Sequence, residues 1–522
     1  MSIPEATVSF MLRRPFWLFI ITGLVLSCSK DRKTETISYP VPGHKLTTEE
    51  LAQAYCGACH QFPEPELLSK SLWEQKVLKD MGRRLGIRSD DYDPFARRSM
   101  YDAFMLRRSG VYPTDTLISQ EDWQKIESYY LDQAPSQVEE PPDKPTVTKG
   151  LGYFKTKIIN DLPAEALSTM VKFDTVSGKI YWGSRTGDLM IVSPEGHVDR
   201  QIQLDNGVSA LLKQGDQEYV LTMGGMDPTE EATGKLVQIS KGYQSNVLLE
   251  KLQRPVHFSL QDLNNDGLSD ILVSQFGDQT GKLSWFEKQD TDYLEHTIKS
   301  IPGVIKTYVN DYDDNGKLDI MALMTQGNEG ISVFYNQGQG NFIERQLLRF
   351  PPVYGSSSFQ LIDFNGDGAL DILYTAGDNA DFTYSLKAYH GIRIYYNNGD
   401  FSFTERYFYP MYGAMNAKAG DFDHDGDIDI AAISFFPDFD ANEPEGFVYL
   451  ENQGDLFFKP STFSESVNGR WLVMDVEDFD RDGDLDLVLG SLLFKIRTAP
   501  EELIDRWSQS NYHLVILENT TF

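Results

Sequence analysis

Residues 421–429 read Asp-Phe-Asp-His-Asp-Gly-Asp-Ile-Asp, and this acidic nine-residue pattern decides the fold. Its general form, Asp-x-Asp/Asn-x-Asp/Asn-Gly-x-x-Asp, occurs five times in the 522-residue chain. Oxygen side chains at positions 1, 3, 5 and 9, a carbonyl at position 7 and a glycine at the sharp turn of position 6 suit a hard cation with six or more oxygen ligands. The five loops predict about five calcium ions, and their candidate ligands are Asp262, Asn264, Asp266, Asp270, Asp311, Asp313, Asn315, Asp319, Asp363, Asn365, Asp367, Asp371, Asp421, Asp423, Asp425, Asp429, Asp478, Asp480, Asp482 and Asp486.

The residues that follow each loop distinguish it from an EF-hand, which needs a bidentate glutamate at position 12. Those positions hold Val273, Ala322, Tyr374, Ala432 and Leu489. Each lies in a short apolar stretch of β type, so each loop is expected to connect two strands. The four ligand positions of the five loops carry 17 carboxylates, which repel one another unless a cation is bound. Five calcium ions would change the formal net charge from −31 to −21, and this acidic balance argues against a nucleic-acid partner.

The spacing of the loops indicates a β-propeller. Successive copies begin 49, 52, 58 and 57 residues apart, which is near the period of about 40 to 50 residues for a four-stranded blade with inserted loops. Residues 171–192 and 210–239 show the same strand pattern without ligands and add two blades. The β-type stretch at 152–158 is expected to supply the strand that the last blade lacks, because closing the ring removes an exposed edge. We therefore predict an all-β propeller of seven blades over residues 150–522.

A small all-α domain with a haem-attachment motif is predicted ahead of the propeller. Thr47 and Glu50 form a capping box at the start of its first helix. That helix runs into Cys56-Gly-Ala-Cys59-His60. Two thiols three residues apart, followed by a histidine, fit one covalently attached haem c, with thioethers from both cysteines and the imidazole on the iron. A thioredoxin-like redox pair would need a surrounding βαβ pattern, which is absent.

The sequence pattern does not identify the second axial ligand of the haem iron uniquely. Met81 follows an amphipathic helix that begins near Trp73, and it is the candidate for that ligand. Met100 and Met105 fall in a further predicted helix and are the alternatives, although a methionine there is more often part of the core. The remaining alternative is an iron without a methionine ligand.

The amino terminus reads as an export signal. Arg13 and Arg14 precede an apolar run at 16–26, which is too short for an ordinary membrane span and ends at Cys28. Prolines at 135–145 mark a linker before the repeats. The predicted organisation is a signal peptide at 1–27, a tether at 28–43, the haem domain at 44–134, a proline-rich linker at 135–149 and the propeller at 150–522.

Three resemblances add expectations about function. The segment that ends in Val25-Leu26-Ser27-Cys28 resembles a bacterial lipoprotein signal, which implies lipidation of Cys28 and a membrane anchor in the cell envelope, in an outer membrane facing the periplasm or the cell surface. Residues 44–134 resemble small bacterial cytochrome c domains. The repeats of 150–522 resemble the FG-GAP and VCBS family, which includes the propellers of integrin α-subunits. The whole chain looks like bacterial lipoproteins that join these two modules.

Electron transfer is the leading functional hypothesis. A lipid-anchored haem would pass electrons to or from a redox partner protein, and the propeller would bind that partner or a cell-surface ligand. The alternatives are a haem-dependent oxidoreductase with its substrate on the propeller face, and an adhesion or glycan-binding module with a redox-sensing haem. No serine nucleophile elbow, zinc helix or nucleotide-binding glycine loop occurs, so no catalytic residue is assigned. His390 beside Tyr389 is more often a packed residue than a catalytic one.

Overall fold

The computed structural model describes residues 46–240, 244–379, 385–494 and 499–521. The export segment and Cys28 lie outside these ranges, so the signal and lipidation predictions are not addressed by the structure. Everything below concerns the described residues of the unit Tyr39–Phe522. Among the described residues, no helix is both long and apolar enough to cross a membrane.

The helices are concentrated in residues 46–134, which we call the helical domain. Five of the six described α-helices lie there: α1 Thr48–Cys56, α2 Lys70–Leu72, α3 Leu78–Arg84, α4 Met100–Ser109 and α5 Gln120–Gln133, with α6 at Glu501–Ser510. Shorter helical turns lie at Pro65–Leu67, Trp73–Val77 and Ser466–Asn468. Thr47 and Glu50 form the predicted capping box of α1, and Ser119 caps α5.

The strands form a ring of seven four-stranded blades. In order from the first strand outward, blade 1 is β3 Ser168–Asp174, β4 Lys179–Ser184, β5 Asp188–Val192 and β6 Val198–Gln203, and blade 2 is β7 Val208–Gln214, β8 Gln217–Thr222, β9 Gly234–Ile239 and β10 Ser245–Leu252. Blade 3 is β11 Pro255–Gln261, β12 Asp270–Gln275, β13 Lys282–Lys288 and β14 Tyr293–Lys299, and blade 4 is β15 Val304–Asn310, β16 Asp319–Met324, β17 Gly330–Asn336 and β18 Phe342–Arg349. Blade 5 is β19 Ser356–Ile362, β20 Asp371–Ala376, β21 Gly391–Asn397 and β22 Phe403–Pro410, and blade 6 is β23 Ala414–Gly420, β24 Asp429–Ser434, β25 Phe447–Asn452 and β26 Phe458–Thr462. Blade 7 is β27 Trp471–Glu477, β28 Asp486–Ser491, β29 Leu514–Asn519 and, from the other end of the propeller sequence, β2 Phe154–Ile159.

The ring closes as the sequence predicts. The first strands of successive blades contact one another all the way round, and β27 of blade 7 returns to β3 of blade 1. These first strands therefore line the central channel. β2 pairs antiparallel with β29, from Phe154 opposite Asn519 to Ile159 opposite Leu514, and so completes blade 7. The second strand of blades 3 to 7 is buried along its whole length, because apolar faces of neighbouring blades cover both of its sides.

Two faces of the ring are defined by the chain direction. The connection between the first and second strands of every blade lies on one face, which we call the loop face. The connections between second and third strands, and those between blades, lie on the opposite face, which we call the docking face. Blades 5, 6 and 7 carry long second-to-third connections there, and that of blade 7 contains α6, whose Leu503 and Trp507 pack on Phe439 of blade 6.

The linker and the Trp73 helix differ from the sequence expectation. The linker is extended, as expected, but it is held against the propeller: a two-residue strand, β1 Thr148–Lys149, pairs in parallel with β26, and Lys144 donates to the carbonyl of Pro410. Met81 lies inside α3 instead of following a helix, because the chain stays helical from Lys70 to Arg84 through a π turn. Gly82 allows α3 to pack closely on α5, since a Cβ there would lie 2.9 Å from the ring of Trp123.

Candidate metal centres

The five predicted calcium loops share one backbone conformation. Each joins the first to the second strand in blades 3 to 7, so all five lie on the loop face. At position 4 the backbone is left-handed in every loop, with φ between 56° and 69°, and the glycine at position 6 has φ between 80° and 106°. Both values turn the chain sharply, and a glycine tolerates them at little cost. The repetition of this conformation follows from the repeated sequence.

The aspartate at position 1 organises each turn through backbone amides. In the first four loops one of its carboxylate oxygens accepts a hydrogen bond from the amide of the glycine five residues later, at distances of 2.9, 2.7, 2.8 and 3.2 Å. The turn therefore directs the side chains of positions 1, 3 and 5 toward a common centre.

Three loops bring carboxylates together at metal-binding distance. One ligand oxygen from each member of a trio lies within 4.8 Å of the others in Asp311, Asp313 and Asp319, in Asp421, Asp423 and Asp425, and in Asp478, Asp480 and Asp486. In the last two trios, a buried Oδ1 of Asp421 and of Asp478 accepts no hydrogen bond from the protein. An unpartnered buried carboxylate oxygen is costly, and a coordinated cation would remove that cost. These two loops fit calcium on their own geometry.

The aspartate at position 9 has a second role that spacing alone does not reveal. Asp371 is fully buried; its Oδ2 accepts from the amide of Phe364 at 3.0 Å and its Oδ1 from the amide of Asn397 at 2.8 Å. At each of the other four loops, the aspartate at position 9 likewise accepts from the amide of position 2 and from an amide of the third strand. Position 9 therefore ties the loop to the blade whether or not it also binds a cation.

Further carboxylates near the loops were missed from the sequence. Asp484, at position 7 of the last loop, is fully buried and accepts from the amide of Thr521. Glu451 on β25 lies close enough to raise the pKa of Asp423, as Glu518 on β29 does for Asp480, although burial is the larger cause in both. The sequence could have identified both glutamates, because each directly precedes the third-strand asparagine whose backbone amide donates to the aspartate at position 9.

The predicted haem motif occupies the end of α1. Cys56 is the last residue of that helix and is half-buried, whereas Cys59 is exposed. Burial raises the pKa of the Cys56 thiol to about 12. A redox-active thiol pair needs a lowered pKa, so this environment argues against the thioredoxin-like alternative.

The surroundings of His60 are compatible with metal ligation. Its Nδ1 lies 2.8 Å from the carbonyl oxygen of Gln61, which favours the tautomer that carries the proton on Nδ1 and leaves Nε2 free as a ligand. Burial lowers the pKa of His60, so the ring is neutral at physiological pH. Metal ligation needs that neutral form.

The methionine candidates differ in their surroundings. Met81 packs against the core of the helical domain, the same cluster against which Cys56 packs. Met100 is 93% exposed at the start of α4 and faces away from that core. These positions favour Met81 over Met100 as the candidate for the second axial ligand of the iron. An open cavity of about 650 Å³ borders Tyr55, the residue before Cys56, and its lining mixes apolar residues such as Ile87 and Ile118 with polar ones such as Arg88 and Thr116. None of Cys56, Cys59, His60 and Met81 lines it.

The helical domain lies on the docking face of the propeller. Arg98 forms a salt bridge with Asp278, and Arg84 donates to the side chain of Gln279, both on the second-to-third connection of blade 3. The buried Asp102 accepts from the hydroxyl of Thr229 at 2.9 Å and from the amide of Glu230 at 2.7 Å, on the matching connection of blade 2.

A second contact lies across the ring from the first. The hydroxyl of Tyr389, in the long connection of blade 5, donates to the carbonyl of Leu67. The helical core also includes Val353, from the connection between blades 4 and 5. The five acidic loops and the helical domain with its Cys56–His60 motif are thus on opposite faces of the ring.

Comparisons with known proteins agree with this architecture. Residues 311–374 and 379–432 match the family model described as FG-GAP-like repeat. No curated protein matches the chain at a significant level. The chain is therefore a seven-bladed β-propeller that contains FG-GAP-like repeats.

Similar solved structures share very little sequence with this chain. The N-terminal domain of Nup159 is 10% identical with a TM-score of 0.39, and the match covers 73% of this chain and 99% of that one. The WD40 domain of Neurospora crassa Pan2 is 10% identical with a TM-score of 0.43, covering 72% and 100%. The propeller domain of Myceliophteria thermophila Cps50 (Swd1) is 12% identical with a TM-score of 0.43, covering 70% and 99%. At these identities and TM-scores, none of them supports an argument about function.

Proposed function

We propose that this protein is a lipid-anchored electron carrier of the cell envelope. Haem c would be attached covalently to Cys56 and Cys59, with His60 and Met81 as the axial ligands of its iron. The propeller, with about five calcium ions in its loops, would provide a rigid surface for a redox partner or a cell-surface ligand. Lipidation at Cys28 rests on the sequence alone.

The environment of His60 is the observation that carries this proposal. The bond between its Nδ1 and the carbonyl of Gln61 favours the tautomer with a free Nε2, and the preceding helix ends at Cys56, four residues before it. Covalent haem supplies a one-electron couple whose potential depends on the axial ligands and on burial. The chain's own part is to hold the imidazole neutral and oriented, to bury Cys56, and to keep the helical domain on the docking face through Arg98 and Asp102.

Optical spectra of the full chain, expressed in a host that matures c-type cytochromes, test the proposal. We expect a haem that survives denaturation, because it is covalently bound, and a low-spin spectrum that carbon monoxide does not change. The double variant Cys56→Ala, Cys59→Ala should contain no covalent haem. Absence of haem from the wild-type chain would overturn the proposal. An open iron that binds carbon monoxide would instead favour the oxidoreductase or redox-sensing alternatives, in which a coordination position stays free.

Met81→Ala tests the second axial ligand. We expect the iron to lose its sixth ligand, so that carbon monoxide binds, while covalent attachment persists because the cysteines are intact. Met100→Ala is the matched control and should leave the spectrum unchanged, since that side chain is 93% exposed. A wild-type spectrum for Met81→Ala would reassign the ligand to Met105 or remove methionine from the site.

A further inference from the structure

The central channel of this acidic protein carries a group of lysines. Lys172, Lys306 and Lys418 lie on the first strands of blades 1, 4 and 6, which line the channel, and all three are half-buried. The first strands run side by side around the ring, so residues at the same strand position form a layer. Lys172 and Lys418 both occupy the fifth position of their strands, and Lys306 occupies the third. The lysines therefore lie in adjacent layers of one chamber.

These ammonium groups are close enough to affect one another. The charge of Lys306 lowers the pKa of Lys418, and both lysines lower the pKa of His257 on blade 3, although burial is the larger cause in each case. Burial also lowers the pKa of Lys306 to about 8. His257, at about 3, is neutral and so adds no charge at pH 7.

The carboxylates in reach do not neutralise the group. Asp475 on blade 7 opposes both Lys306 and Lys418, and its Oδ2 already accepts from the amide of Phe173 at 2.9 Å. Glu477, at the end of the same strand, faces Lys172 and Lys418 and is exposed. Lys172 and Lys418 form no hydrogen bond or ion pair with any residue in the described part of the chain. Lys306 donates only to the carbonyl of Phe359, at 3.2 Å. Three lysines therefore face two carboxylates, one of them already bonded to a backbone amide, so the group has an excess of positive charge inside a chain whose net charge is −31.

The docking-face end of this chamber is apolar. Met415 and Leu472, the second residues of their first strands, pack with Phe436 and Met226 from two second-to-third connections. This cluster separates the lysines from the helical domain. Lysine charges that outnumber the carboxylates of a partly desolvated chamber are unfavourable, and an anion with several oxygen atoms would satisfy them through charge-assisted hydrogen bonds.

We propose that the central channel binds a small oxyanion, of the sulfate, phosphate or carboxylate class, between Lys172, Lys306 and Lys418. The site is independent of the haem and of the calcium loops. Its occupant would connect blades 1, 4 and 6 through one charge network at the axis of the ring. Polar side chains of the same layers, such as Asn416 and Gln360, line the remainder of the chamber.

Calorimetric titration of the calcium-loaded, full-length protein with sodium sulfate tests the site. Sulfate is suitable because it stays a dianion across the useful pH range and does not precipitate millimolar calcium. In a chloride-free buffer at pH 7 we expect saturable binding to the wild-type chain and a raised melting temperature. Lys306→Met and Lys418→Met should each weaken binding by about tenfold or more, the effect of losing one charged hydrogen bond. Lys155→Met, at a lysine that is 67% exposed on β2, is the control and should bind as the wild type does.

Melting curves recorded without sulfate show whether the variants are folded. Without sulfate, Lys306→Met and Lys418→Met should melt no lower than the wild type, because each removes like-charge repulsion. The wild-type affinity should also fall from pH 7 to pH 9 as Lys306 loses its proton. The other ionisable groups near Lys306 are His257, Tyr308, Lys418 and Asp475, and Lys172 and Glu477 lie near Lys418. Binding of succinate but not sulfate would assign the site to carboxylates. Absence of binding for both anions, or equal loss in Lys155→Met, would overturn the proposal.

Discussion

The aspartates at positions 1 and 9 of the repeated loops hold the backbone through hydrogen bonds and are also candidate cation ligands. Position 1 bends the loop by accepting backbone amides, and position 9 joins the loop to the third strand while fully buried. A carboxylate has lone pairs enough for two amides and a cation. The motif therefore stabilises the loop backbone in addition to offering ligands for a cation. Removal of calcium should abolish only the stability that comes from cation binding.

The variant Asp371→Asn tests the backbone role apart from the cation-binding role. The amide has one oxygen in place of two, so one of the two backbone bonds is lost and an N–H group faces an N–H group. We expect the propeller to lose about 1 to 3 kcal/mol of stability even in excess chelator. Asp367→Asn, at exposed position 5 of the same loop, should cost stability only when calcium is present. Thermal melts of both variants with calcium and with chelator provide the measurement; equal costs in chelator would contradict the joining role.

Glu329 is a buried acid whose titration falls in the physiological range. Its Oε2 accepts from the amide and the hydroxyl of Ser356, and burial raises its pKa from 4.5 to about 8. Since the folded state holds this proton more tightly than the unfolded state, its contribution to stability is complete below pH 4.5 and is lost as pH rises to about 8. Glu329→Gln should flatten that part of the stability profile in saturating calcium, whereas the exposed Glu231→Gln should not. A Glu329→Gln profile parallel to that of the wild type would show that Glu329 ionises normally.

Elements governed by local pattern were predictable, and those governed by distant contacts were not. The loops, the blade period, α1 with its capping box and the closing strand β2 all follow from residues near one another in sequence. Helix α6 was missed because its apolar face is short and is covered by Phe439, a residue of another blade. The docking of the helical domain was also missed, since Arg98 and Asp278 lie 180 positions apart and belong to no repeated pattern. The channel lysines become visible only when the first strands are placed side by side.

The contact between the helical domain and blade 2 depends on Asp102. Asp102→Ala removes the acceptor of the Glu230 amide and of the Thr229 hydroxyl. We expect hydrogen exchange at the Glu230 amide to become about tenfold faster, as loss of one charged hydrogen bond implies, with little change at the buried Ile126 of α5. Asp132→Ala, on the exposed side of α5, is the control and should leave both sites as in the wild type. Unchanged protection of Glu230 in Asp102→Ala would show that other contacts hold the domain.

For the whole molecule, the proposed calcium ions would change the charge balance of the loop face. We expect a chelator to lower the melting temperature of the propeller, because a ligand bound to the folded state stabilises it by about 2.7 kcal/mol per site at a hundred times its dissociation constant. The loss should be larger at low ionic strength, where the 17 ligand carboxylates repel one another with less screening. Scanning calorimetry at two salt concentrations, with magnesium as the control cation, measures this. Melting curves that ignore the chelator at both concentrations would exclude structural calcium.

The pairing of β2 with β29 has a consequence for biosynthesis. Lys157 and Glu518, which pair across this junction, are 361 positions apart in the chain. A growing polypeptide presents β2 as its first propeller strand, and that strand has no partner until β29 is made. Contacts so distant form slowly, and an open strand edge invites aggregation in the interval. We therefore expect β2 to stay unpaired for nearly the whole time of synthesis, and a chain interrupted before residue 514 to leave that strand exposed to proteases.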